Sequence, residues 1–137
     1  MTELLTRKGR VGRVQSWLAH RASVDLGAWG EWLALRHILR LGYDVLARNW
    51  TSRHGELDLI AYEDETLVFI EVKTRRAPSL LRPEDALTEQ KKERLERLAY
   101  RFLQRHELEV GSLRFDLIAI DCPSERDFEL RHYRGVL

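Results

Sequence analysis

Apolar and polar positions alternate along the chain in two rhythms, one helical and one extended. From about Asp25 to Leu41 the apolar residues recur with helical spacing, and Gly42 stops the pattern as a C-terminal cap would. Tyr43 to Asn49 reads as a strand. "GELDLIAYE" and "TLVFIEVKTR" follow as two more strand-like runs joined at Asp64-Glu65, and a β-hairpin is the simplest connection between them. After a loop carrying Pro78 and Pro83, Thr88 is a good N-cap for a helix that continues to about His106. Gly111 and Ser112 lead into the strand "LRFDLIAID", and Phe128 to Tyr133 reads as a final short strand. The order α-β-β-β-α-β-β over residues 25–137 predicts one α/β domain, a mixed sheet with helices packed on it. Residues 1–24 differ, with Arg7, Lys8, Arg10 and Arg13 ahead of the apolar pair Trp17 and Leu18; a basic N-terminal arm or an accessory helix is expected there.

Charges interrupt these apolar runs at particular places. In "FIEVKTRR", Glu71 and Lys73 sit among residues suited to a core, where an unpaired charge costs several kcal/mol or more. With a two-residue turn at Asp64-Glu65, or a four-residue loop from Glu63 to Thr66, the hairpin register sets Asp58 opposite Glu71 and Glu56 opposite Lys73, whereas an odd-numbered loop would move Asp58 to the other face. Strand alternation then predicts that Glu56, Asp58, Glu71 and Lys73 share one face, while Leu57, Leu59, Ile70 and Val72 share the other. On the first helix Glu31 falls near the middle of the arc formed by Ala34, Leu35, Ile38 and Leu39. On the second, Lys91 falls inside the arc of Leu95, Leu98, Ala99 and Phe102, and Arg94, Arg101 and Arg105 form a basic stripe beside it. Glu31 and Lys91 are thus expected to point to the same interior side as the hairpin charges.

Two accounts fit this pattern. In the structural one, Glu31 and Lys91 snorkel to the rim, and Glu56, Glu71 and Lys73 form a cross-strand ion-pair ladder on a solvated face. In the chemical one, a hard divalent cation such as Mg²⁺ neutralises Asp58 and Glu71 and lowers the pKa of a bound water. A nearby lysine then orients that water or stabilises phosphate charge, which amounts to metal-assisted phosphodiester hydrolysis.

Composition narrows the setting more than the chemistry. A chain of 137 residues, 44% hydrophobic and 33% charged, fits one domain able to bury a core without disulfides. The formal charge of +1 does not by itself argue for a polyanionic partner. Cys122 is the single cysteine, so a disulfide within the chain and a Cys-rich zinc site are excluded, and a reducing cytoplasm is the expected home. No apolar run has the length of a signal peptide or a membrane span, so a soluble protein without membrane attachment is expected.

Asp58 followed by "Glu71-Val72-Lys73" is the D…(E)XK pattern of the PD-(D/E)XK nuclease superfamily. The strings "GAWGEWLA", "LGYDVLARNW", "RHGELDLIAYEDETLVFIEVKTR", "LTEQKKERLERLAYRFL" and "LRFDLIAI" together resemble the YraN family, small bacterial proteins similar to Holliday-junction resolvases and other restriction-endonuclease-like folds. The resemblance covers about Gly27 to Ile120. It implies a restriction-endonuclease-like mixed sheet flanked by helices, and an endonuclease-like domain over residues 25–137. It also implies that Asp58, Glu71, the Val72 carbonyl and Glu31 hold Mg²⁺ or Mn²⁺, with Lys73 as the catalytic lysine. Lys91 matches a lysine suited to a phosphate contact, and with Arg94, Arg101, Arg105 and Arg75 makes the expected nucleic-acid-binding set. Arg114 and Asp116 of "RFD" are expected to form a structural ion pair.

The implied activity is hydrolysis of branched or otherwise non-standard DNA, including single-stranded regions; the alternative is a DNA-binding protein on the same nuclease fold, with a weak or vestigial active site and binding through the stripe of Arg94, Arg101 and Arg105. Resolvase-like relatives act as dimers, so a homodimer is implied as well, one that would cover Trp17, Trp29 or Trp50. Two features depart from the family pattern: the loop "APSLLRPEDAL" lacks the usual glycine before its proline, and the N-terminal segment is longer than usual.

Overall fold

The computed structural model describes residues 3–10, 26–76, 85, 87–124 and 126–137. Its elements are β1 (Glu3–Arg10), α1 (Leu26–Arg40), β2 (Asp44–Ser52), β3 (Gly55–Glu63), β4 (Thr66–Arg75), α2 (Glu89–Arg105), β5 (Ser112–Asp121) and β6 (Asp127–Arg134). From α1 onward this is the expected order α-β-β-β-α-β-β. The strands form one sheet in the order β1-β6-β5-β4-β3-β2, antiparallel except for the parallel pair β4 and β5. That pair needs a crossover, and α2 supplies it.

Local chemistry sets the element ends. Gly42, at φ 88°, ends α1: its N–H bonds the Leu39 carbonyl (3.1 Å) and the Tyr43 N–H reaches the Ile38 carbonyl (3.0 Å), a Schellman closure. Thr88 caps α2, its hydroxyl accepting from the Lys91 N–H at 3.2 Å. The β3–β4 turn is the two residues Asp64-Glu65, flanked by the pair Glu63↔Thr66, with Asp64 at φ 52°.

The N-terminal expectation needs correction. Glu3–Arg10 is a strand that pairs antiparallel with β6, because β6 otherwise leaves its outer edge unpaired. The rest of the expected arm, residues 11–24, and the loop of residues 77–84 lie outside the described residues.

The two helices cover opposite faces of the sheet. Leu33, Ala34 and Ile38 of α1 pack with Leu59, Ala61, Val68, Ile70, Ile118 and Ile120. Leu95, Leu98, Ala99 and Phe102 of α2 pack with Leu57, Ile60, Leu67, Phe69, Leu117 and Ala119. Apart from Leu57, each core is a layer of side chains two residues apart on the strands, as pleating requires. Glu31 and Lys91 therefore approach from opposite faces, not from one side as their helical phases suggested. Helical phase tells which way a residue points relative to its helix, but not which face of the sheet that helix covers.

Leu57 is the second correction. It packs under α2, whereas Leu59 packs under α1, so alternation breaks between them at Asp58. Across the β2–β3 ladder, between the pairs Arg48↔Leu59 and Trp50↔Leu57, Asn49 has φ 49°. This left-handed residue opposite Asp58 marks the local irregularity that re-aims the strand.

Candidate functional site

β3 and β4 separate where the charged residues begin. Their ladder runs from Glu63↔Thr66 to Leu59↔Ile70, one step short of Asp58 and Glu71. Counted from the turn, the register still puts Asp58 opposite Glu71, as expected. Both outer ladders go on past this point, β2 to β3 as far as Ser52↔Gly55 and β4 to β5 as far as Arg75↔Asp121. The sheet is thus forked between β3 and β4. In place of a ladder bond, the Val72 N–H donates to Asp58 Oδ2 at 2.9 Å. A residue in an antiparallel strand presents its N–H and C=O to the same neighbour, so the Val72 carbonyl also faces the fork.

Three carboxylates gather at this fork. Glu31 of α1 and Glu56 and Asp58 of β3 each bring an oxygen within 4.8 Å of the others; Glu31 and Asp58 are half-buried and Glu56 is exposed. A narrow cleft of about 110 Å³ opens beside them, lined by Glu31, Trp32, Arg48, Asn49 and Asp58 among others. Glu56 is the member that sequence reasoning left without a role. Its signal was present in its position two residues before Asp58.

Glu71 stands outside this triad but is coupled to it. Burial, and next the charge of Asp58, push its carboxyl up to about 7, against the opposing pull of Arg94, Lys73 and Lys91. Burial also raises the Asp58 carboxyl, and Glu56 adds to the rise, while the Val72 N–H, Lys73 and Arg94 oppose it. Lys73, Lys91 and Arg94 are thus the cations whose charge reaches the acids. Arg75 lies two residues beyond Lys73 on the same strand face. Arg101 and Arg105 lie further off, at the C-terminal end of α2, beside the β2–β3 turn.

One close approach fixes α1 against the fork. A Cβ on Gly30 would lie 1.6 Å from Thr74 Oγ1, so only glycine lets the helix sit this near β4. Glu31 and Lys73 are the immediate neighbours of the two contacting residues.

At the other end of β3, a buried polar network closes the sheet. His37 Nε2 and His132 Nδ1 are 3.0 Å apart, and His132 Nε2 is 2.7 Å from Asp116 Oδ2. Arg114 Nε donates to Asp116 Oδ1 (2.8 Å), and the same guanidinium reaches Glu63 (2.7 Å) and Tyr43 Oη (2.8 Å). Arg134 also pairs with Glu63. The expected Arg114–Asp116 ion pair is present, with Asp116 fully buried. Burial alone would raise the Asp116 carboxyl, but hydrogen bonds from His132 and Arg114 outweigh it and hold the group below its ordinary range. Tyr43 moves the other way, pushed up to about 12 by burial and by its hydrogen bond with Glu63.

Trp29 and Trp50 are half-buried by the chain itself, Trp29 stacked on Trp32 and Trp50 set edge-on to Phe102. Trp17 lies outside the described residues. No helix among the described residues is long and apolar enough to cross a membrane.

A mixed sheet with a helix on each face, and with β4 and β5 parallel around a crossover helix, is of the restriction-endonuclease-like α/β class. The chain belongs to the family described as uncharacterised protein family UPF0102, the YraN family, whose model matches residues 30–120. A UPF0102 protein of Frankia casuarinae is 40% identical over 115 residues, covering 84% of this chain and 98% of its own. One from Desulfitobacterium hafniense is 48% identical over 101 residues, 73% of this chain and 84% of its own. A third, from Rhodococcus opacus, is 40% identical over 117 residues, 85% of this chain and 98% of its own.

Proposed function

We propose that the protein is a metal-dependent nuclease that hydrolyses phosphodiester bonds of DNA, with branched or otherwise non-standard DNA as the substrate class. The observation that carries this reading is the meeting of Glu31, Glu56 and Asp58 at the β3–β4 fork, with Glu71 and Lys73 on the adjoining strand. The donor set is all oxygen, which suits Mg²⁺ or Mn²⁺ and does not suit softer metals. Asp58 and Glu71 both resist ionisation, first because they are buried and next because each lies near another acid, and a bound divalent cation would offset both. Asp58, Glu71 and Glu31 would hold the ion with the Val72 carbonyl, and Glu56 is placed to join them. When bound, such an ion supplies Lewis-acid polarisation of the phosphate and a more acidic water. Lys73 supplies a fixed positive charge beside the acids, suited to stabilising charge that develops on phosphate oxygens. Lys91 and Arg94 approach from α2 and are suited to binding the flanking phosphates.

The test is cleavage of labelled junctions, flaps and single strands with Mg²⁺ or Mn²⁺. Wild type is expected to cut at least one of them and Asp58→Ala/Glu71→Ala none; a wild type inert on all, beside a resolvase active under the same conditions, defeats the proposal. A second reading, DNA binding without cleavage, draws support from the basic stripe on α2, which does not depend on the acids. In that case the double variant keeps both affinity and phenotype.

A further inference from the structure

The arginines of α2 reach well beyond the acidic fork. Arg94, Arg97, Arg101 and Arg105 are spaced by three, four and four residues, which on a helix forms one exposed stripe. The stripe runs about 16 Å, eleven residues at ~1.5 Å each. It starts at Arg94, whose charge is felt by both Asp58 and Glu71. It ends in a groove of about 600 Å³ between α2 and the β2–β3 turn, where Trp50, Arg53, His54, Arg101, Gln104 and Arg105 line the walls.

Two properties of this surface point to its ligand. Among the described residues, none of these four arginines, nor Arg53, lies within ion-pair distance of a carboxylate. Glu93 and Glu96, with Tyr100, share a surface groove with Arg97 and Arg101 and so border the positive track along one side. His54 reports the same crowding of positive charge: its ring is held below the ordinary range by desolvation, then by Arg101, Arg53 and Arg97. The groove also offers an aromatic surface, since Trp50 is half-buried there and meets Phe102 edge-on at 5.4 Å. Unpaired cations in a row beside an aromatic ring are what an unpaired nucleic-acid strand requires, with phosphates along the cations and a base against the ring. A blunt duplex keeps its bases stacked inside and has no base to offer Trp50.

We propose that α2 and the β2–β3 turn form a binding track for single-stranded DNA that leads from the acidic fork to the groove at Trp50, Arg53 and Arg105. This inference deepens the DNA-binding part of the proposed function and does not need cleavage. A strand cut at the fork would be held by its unpaired continuation, so flaps and branched junctions with a free strand would be favoured over continuous duplex.

The experiment is fluorescence anisotropy in EDTA, with a labelled single strand of about 15 nucleotides and a blunt duplex of the same sequence, over roughly 50 to 200 mM salt. Wild type is expected to prefer the single strand. Arg53→Gln/Arg101→Gln/Arg105→Gln should weaken single-strand binding at least about tenfold at low salt. It should also flatten the log–log salt slope by about 2, three contacts at ~0.7 each. These side chains are exposed, so the fold does not depend on them. Trp50→Leu keeps an apolar group against Phe102 but removes the π-face, and should weaken single-strand binding about fivefold or more while leaving duplex binding unchanged. Single-strand affinity and slope unchanged in the triple variant would overturn the track. So would losses by the triple variant that are equal for single strand and duplex, or a Trp50→Leu variant that binds the single strand like wild type. Because no metal is present, a protein that binds as described but never cuts defeats the nuclease reading alone.

Discussion

Replacing Glu71 by glutamine should stabilise the metal-free protein at pH 8. In the folded state the carboxyl titrates at about 7, against an ordinary value of 4.5, chiefly because it is buried and next because Asp58 lies beside it. A carboxyl whose folded pKa is raised favours folding while protonated; its ionisation is resisted, so stability falls as pH climbs from 4.5 to about 7 and stays low above that. At ~1.4 kcal/mol per pH unit the penalty has a ceiling of roughly 3 kcal/mol, and partial access of water to the half-buried side chain brings it to about 1–2 kcal/mol. Glutamine has the same shape and no charge, so it removes the penalty. Urea denaturation in EDTA should therefore show Glu71→Gln within error of wild type near pH 4.5 and about 1–2 kcal/mol more stable at pH 8. The opposing charges of Arg94, Lys73 and Lys91 are already contained in the wild-type value. A variant that is no more stable at pH 8 than at pH 4.5, relative to wild type, would refute the account of a charge held at the fork against its preference.

Asp116→Asn should cost about 3–5 kcal/mol at neutral pH, because it leaves the Arg114 guanidinium facing a neutral amide in a buried network. Since the Asp116 carboxyl is depressed, its contribution is present above the ordinary value of 3.8 and fades as pH falls through the folded value, so acid titration followed by circular dichroism should show a shallower acid limb in the variant; an equally steep limb would discount Asp116 as a source of acid sensitivity. Gly30→Ala sets a Cβ 1.6 Å from Thr74 Oγ1 and should cost about 1–3 kcal/mol as α1 is pushed off β4. Calorimetry should show the melting temperature lowered by several degrees, and a value equal to wild type would mean that the helix has slack there.

Elements governed by neighbouring residues were legible in the sequence. The Thr88 cap, the Gly42 stop and the two-residue turn follow from local chemistry, and the turn alone sets Asp58 against Glu71. The Arg114–Asp116 pair was reached through the family string "RFD", and strand alternation, which puts both side chains on one face, is consistent with it. The relation between the helices was not. The handedness of the β4–α2–β5 crossover assigns α2 to a face, but nothing local assigns α1, which has no such crossover. The break in alternation at Asp58 depends on the left-handed Asn49 of the neighbouring strand, and β3 read by itself carries no sign of it. The contact between His37 and His132 joins residues 95 apart, so no periodicity reports it. Arg53 and Arg97 escaped notice because their importance comes from the turn that folds back toward α2.

The polar network and the fork occupy opposite ends of the same strand, with Glu63 at one and Asp58 at the other. Mechanically, β3 resembles one arm of a clothes-peg, riveted near its turn by Arg114 and Arg134 and left open at the jaw. A guest entering between β3 and β4 beyond Leu59 and Ile70 meets no ladder pairs, and the bond from the Val72 N–H to Asp58 spans the gap there.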